Sequence, residues 1–120
     1  MFTVAKTHRF WWPVKVVKPD PDKAGAFREE EFKARFEAVS DEAAETLNKD
    51  ALARGLSAVQ QTRAFLAAAV CDWSDVTDEN GAAVGFSSQI LQQSLGLTWV
   101  RDGFIRAYSD AVNGKAQVGN

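Results

Sequence analysis

Between Glu31 and Ala38 polar and apolar residues alternate without a fault. Phe32, Ala34, Phe36 and Ala38 fall on one side, and Glu31, Lys33, Arg35 and Glu37 on the other. A period of two is the signature of a strand with one wet and one dry face. Wound as a helix, the same residues would set the phenylalanines among Lys33 and Arg35 with no continuous apolar stripe. Upstream, Phe10, Trp12, Val14 and Val16 alternate with Trp11, Pro13, Lys15 and Val17, again in β-favouring types. Pro13 lacks an N–H for a ladder, which places this strand at a sheet edge or a bulge. The intervening stretch from Lys18 to Ala26 holds two prolines and a glycine and reads as a long hairpin loop. A two-stranded hairpin alone is marginal in water, so its Phe/Trp/Val face must lie on the helices that follow or on another subunit.

Downstream the pattern changes. Ser40-Asp41-Glu42 is a helix start, with a capping hydroxyl and two carboxylates in the first turn. A short helix is expected to about Asn48. A longer core helix is expected from an Asp50 cap, carrying Leu52, Leu56, Val59, Leu66, Val70 and Trp73 as its stripe. Gly55 within it, among several alanines, suggests a place where another backbone approaches closely. Asn80-Gly81 is the strongest turn signal in the chain. Ser87 can cap a short helix stapled by Phe86 and Leu91 and ended by Gly96. A last helix from Thr98 sets Val100, Phe104, Tyr108 and Ala111 on one side, with Trp99 and Ile105 flanking. The expected fold class is α+β, an N-terminal antiparallel β-hairpin packed on a mainly helical remainder of about four helices. With 120 residues there is room for one domain. The hairpin occupies about 9–38 and the helical part about 40–113, and residues 114–120 read as a flexible tail.

Several function classes fall away on composition. At 46% hydrophobic and 25% charged residues the chain is an ordinary globular one. Neither a membrane span nor a secretory signal is legible, which points to the cytoplasm. One cysteine, Cys71, and one histidine, His8, leave no His/Cys cluster for zinc, and no cofactor is expected. The net charge of -2 argues against a dedicated nucleic-acid binder. Charge is uneven, however: residues 41–80 carry 8 acidic and 3 basic side chains, whereas no acid precedes Asp20.

Catalytic constellations are weak. Cys71 with His8 would make a nucleophile and base, but Cys71 sits in an alanine-rich stretch expected to be helical and reads as a small core residue. Asp72, Asp75, Asp78 and Glu79 lack the alternating ligand positions of a calcium loop and read as a solvated acidic turn. Trp11, Trp12, Trp73 and Trp99 would line an aromatic ligand pocket if they converged. A DNA-binding regulator would present the last helix, with Arg101 and Arg106 but few base-reading neighbours. Protein binding carries most of the weight. Trp11, Trp12, Phe32 and Phe36 are the candidate contacts on the hairpin, with Lys33 and Arg35 as charged partners; Trp73, Gly81, Phe86 and Tyr108 read as structural.

Taken in order, Phe10-Trp11-Trp12-Pro13-Val14-Lys15-Val16, a Pro/Asp loop, Glu31-Phe32-Lys33-Ala34-Arg35-Phe36, Trp73-Ser74-Asp75-Val76, Asp78-Glu79-Asn80-Gly81, Phe86-Ser87, Ala107-Tyr108 and the closing Gly119-Asn120 form a set. Over residues 10–120 it resembles the tail assembly chaperones of long-tailed bacteriophages and prophages. The resemblance implies a non-enzymatic protein of the bacterial host cytoplasm that coats the long helical tape measure protein and keeps it soluble. It also implies self-association and recruitment of major tail tube subunits, in some members through a frameshifted longer form. The small ligand-binding or DNA-binding regulatory domain is the alternative.

Overall fold

In the computed structural model, which describes residues 1–115, the two alternating segments pair as a hairpin. Strands β1 (Arg9–Pro19) and β2 (Phe27–Glu37) run antiparallel, from Arg9 opposite Glu37 to Pro19 opposite Phe27. The alternation sets their faces: Val14, Val16, Ala34 and Phe36 are buried, whereas Trp11, Val17, Glu31 and Lys33 are exposed. Pro13 lies in an outer strand of the sheet, where its missing N–H removes no central ladder bond. The hairpin loop closes with Asp20 N–H donating to Ala26 O at 2.9 Å, and Arg28 reaches back to Asp22 at 3.4 Å.

The middle of the chain departs from the sequence reading. Helix α1 (Asp41–Arg54) starts where expected, with Ser40 Oγ accepting from Ala43 N–H at 3.1 Å, but it continues through Asn48. Asp50 caps nothing; it pairs with Arg54 one turn on, at 3.0 Å. The break falls at Gly55, whose φ of 65° is left-handed, and a Cβ there would meet nothing within 4 Å. Gly55 is a helix terminator and not a site of close approach. Helix α2 (Ala58–Ala69) then begins with a reciprocal capping box between Ser57 and Gln60. The expected stripe is therefore divided between elements, and Leu52 is 79% exposed.

The residues at the end of that stripe form a third strand, β3 (Val70–Ser74), beside β2. The sheet order is β1-β2-β3, with a bulge between Arg35 and Phe36 that leaves Cys71 unmatched. Val70, Cys71 and Trp73 favour a pleated, half-buried surface, and the open edge of β2 supplies the partner that a helix continuation lacks. Helices α3 (Ser88–Ser94) and α4 (Thr98–Val112) are the last elements among the described residues. Ser87 Oγ accepts from Ile90 N–H at 3.1 Å, and half-buried Phe86 and buried Leu91 flank this cap as a staple. The tail expectation falls largely on 116–120, outside the described residues; Lys115 N–H still donates to Asp110 O at 2.8 Å.

The core lies between the inner face of the sheet and the helices. Phe36 is fully buried, with ring centroids at 5.7 Å from Phe10, 6.4 Å from Phe104 and 5.6 Å from Tyr108. On α4 the buried residues are Gly103, Phe104, Ala107 and Tyr108, so two small residues complete the face that the aromatic spacing marked. Tyr108 also ties the strand-to-helix connection, because its hydroxyl accepts from Val39 N–H at 2.8 Å. Tyr108→Phe keeps the ring packing but orphans that half-buried N–H. A loss of about 1–2 kcal/mol in urea unfolding is expected, and an unchanged midpoint would show that water replaces the hydroxyl at no cost.

Candidate protein-binding surface

Three of the six candidate contact residues share the outer face of the sheet. The register sets Trp11, Arg35 and Asp72 in one row across the three strands, and Pro13, Lys33 and Ser74 in the next. Directly opposed side chains in such rows have Cβ atoms about 5 Å apart, so Trp11 and Arg35 are immediate neighbours. Trp11 is 46% exposed. Among the described residues neither Lys33 nor Arg35 has a carboxylate partner, and Arg35 Nε is shielded from solvent without a hydrogen bond. Asp72 accepts from Trp73 N–H at 2.8 Å. At the end of the face Arg9 Nε donates to Glu37 at 2.9 Å, and this bond, with the carboxylate's charge, raises the guanidinium pKa.

The other three lie on the opposite, core-facing side. Phe36 is not a surface residue at all, and its assignment to the hairpin surface is corrected by its burial between β2 and α4. Phe32 is half-buried, 5.4 Å from Phe104 and 6.4 Å from Trp73 between ring centroids. Trp12 is half-buried against the core, and its Nε1 is enclosed without a hydrogen-bond partner. The physical reason is parity: residues an even number apart on paired strands share a face, and Phe36 and Trp12 have the parity of buried Ala34 and Val14.

The residues read as structural occupy interior or turn positions. Trp73 is buried, donates from Nε1 to Val84 O at 2.9 Å and meets Phe86 edge-on at 5.3 Å. Gly81 takes a φ of 81° in a turn that Asp78 Oδ1 organises by accepting from Asn80 and Ala82 N–H at 2.8 and 3.0 Å. The remaining candidates do not converge. His8 stacks on Phe10, whereas Cys71, on β3 and not in a helix, donates to Arg35 O at 3.3 Å. Among the described residues no three of His, Cys, Asp and Glu gather to hold a metal ion. Arg101 and Arg106 donate to main-chain carbonyls of the fold itself, Leu95 O at 3.0 Å and Lys15 O at 3.2 Å. Of the four tryptophans, Trp73 and Trp99 share one groove, Trp11 points to the other side of the sheet, and Trp12 lies elsewhere on the inner face.

Trp73 and Trp99, two of the four tryptophans read as candidate pocket residues, line that groove, which is about 800 Å³. Its floor is Val16, Phe32, Trp73, Trp99 and Phe104, and its rim carries Lys18 and Arg28 as well as Glu30, Asp75, Asp78 and Glu79. No local signal marks it, because its walls come from β1, β2, the turn after β3 and the start of α4.

Among the described residues no helix is long and apolar enough to cross a membrane. No protein-family model matches the chain, and neither a curated protein nor a solved structure shows significant similarity to it.

Proposed function

We propose that this chain is a non-catalytic assembly protein of the tail assembly chaperone type. It binds and coats the tape measure protein in the bacterial host cytoplasm and helps recruit major tail tube subunits. The observation that supports this reading best is the outer face of the sheet, where half-exposed Trp11 stands beside Arg35, with Pro13 and Lys33 in the adjoining row. Tryptophan and arginine are the residue types that most often carry binding energy at protein interfaces. The face is held rigid because its reverse side is the core, so binding orders little that is not already ordered. A long helical partner with exposed apolar stripes would be covered by many copies, each contributing a modest contact.

The test is co-expression with a long helical tape measure protein, followed by size-exclusion chromatography with light scattering on each protein alone and together. A soluble complex with many copies per partner is the expected result. Trp11→Ala combined with Arg35→Ala is expected to weaken that complex at least tenfold, the equivalent of about 1.4 kcal/mol or more. A chain that leaves the partner insoluble would remove the reading. The aromatic floor of the groove favours a small-ligand reading second, and a tryptophan-fluorescence screen of small molecules would separate the two.

A further inference from the structure

Two features of the molecule are unused by the fold. The first is an open stretch of sheet edge. Strand β3 pairs with β2 only between Lys33 and Phe36, so among the described residues Phe27 to Phe32 have no neighbouring strand on that side. The groove lies along this stretch, with Arg28, Glu30 and Phe32 among its walls. An uncovered edge above an apolar floor accepts an added strand: main-chain bonds supply affinity, and alternate side chains enter the floor.

The second is the N-terminal arm. Residues 1–7 form neither helix nor paired strand, and Phe2 and Val4 are each 86% exposed. Phe2, Val4 and Lys6 have the same parity, so an arm paired as a strand turns all three to one side. That side is apolar and then basic, matching a groove that is apolar at the floor and whose charged lining is acidic on balance, Glu30, Glu31, Asp75, Asp78 and Glu79 against Lys18 and Arg28, with Glu30 paired to Lys18.

We infer that the arm of one copy docks as an added strand on the β2 edge of a second copy. Reach excludes the same molecule. Arg9 lies opposite Glu37 and Val14 opposite Phe32, so the arm leaves the sheet about 17 Å from the near end of the groove at ~3.3 Å per strand residue. It also leaves from β1, two strand positions from the open edge. Fully extended, Val4 reaches about 17 Å and Lys6 about 10 Å beyond Arg9, so once the sideways step is added neither can lie along β2 in the groove. In a second copy there is no such limit. Because arm and groove are different surfaces, the contact is head-to-tail and generates rings or open chains of copies. The idea rests on the proposed coating role only for its purpose, since such chains would repeat one binding face along a long partner.

The test uses the full chain without any partner, so its failure leaves the co-expression experiment standing. Light scattering over a concentration series is expected to give a mass that rises above 13.2 kDa toward multiples of it. The double variant Phe2→Asp, Val4→Asp is expected to remain monomeric with an unchanged circular dichroism spectrum, because both side chains are exposed. A mixture of Val4→Cys and Glu30→Cys chains, oxidised, is expected to give a cross-linked dimer that wild-type chains do not. A wild-type monomer at every concentration, association that survives the arm variant, or association without the 4-to-30 cross-link would each overturn the inference.

Discussion

Phe36→Ala is expected to lower the unfolding free energy by about 3–5 kcal/mol, the cost of a cavity where a fully buried ring is removed. Phe36 makes ring contacts with Phe10, Phe104 and Tyr108, so the vacated volume lies at the junction of both hairpin strands and α4. Small domains have roughly 5–15 kcal/mol of total stability, so this single change removes much of it. Urea unfolding followed by tryptophan fluorescence would measure the loss. Trp11→Ala is the matched control, on the same hairpin but on the outer face, and its expected cost is within about 0.5–1 kcal/mol. If the two variants were equally stable, the assignment of faces would be wrong. If Phe36→Ala stayed folded but lost partner binding, the ring would belong to an interface and not to the core.

Gly103→Val is expected to destabilise by about 3 kcal/mol through overpacking. A Cβ at Gly103 would lie 2.8 Å from Lys15 O and 3.2 Å from Val16 Cγ2. The first of these is backbone in a paired strand and cannot rotate away, so α4 would have to lift from β1. Leaving glycine ordinarily helps a helix, by about 1 kcal/mol for alanine and less for valine, but the clash exceeds that gain. Thermal unfolding of the variant against wild type would decide it. The opposite sign would mean that α4 can slide along the sheet at little cost. The displacement would also move Phe104 and Trp99 in the groove, so self-association should weaken together with stability.

Short-range information was enough for much of the fold. Alternation over Phe10–Val17 and Glu31–Ala38 specified two strands and their faces, because a strand's side-chain period is set by backbone geometry alone. Ser40, Ser57 and Ser87 each cap a helix through their own hydroxyl. The starts at Ser40 and Ser87 are legible in the sequence, and Ser57 with Gln60 is an equally local signal. The Asn80-Gly81 turn and the start at Thr98 are of the same kind.

What the chain did not disclose depended on partners distant in sequence. Val70 to Ser74 continue a plausible helical stripe, and only the open edge of β2, more than thirty residues upstream, makes them a strand. Gly55 and Gly103 look alike in sequence, yet one adopts a left-handed φ and the other lets a helix touch a strand backbone. The six candidate contacts are aromatic and charged residues of one hairpin. The sheet face splits them into Trp11, Lys33 and Arg35 outside, and Trp12, Phe32 and Phe36 inside. Sequence determined that the hairpin has two unlike faces, because alternation is a property of each strand. Tertiary structure alone decided that helices cover the Phe36 face and leave the Trp11 face open, because burial depends on which surface the rest of the chain can reach and pack against.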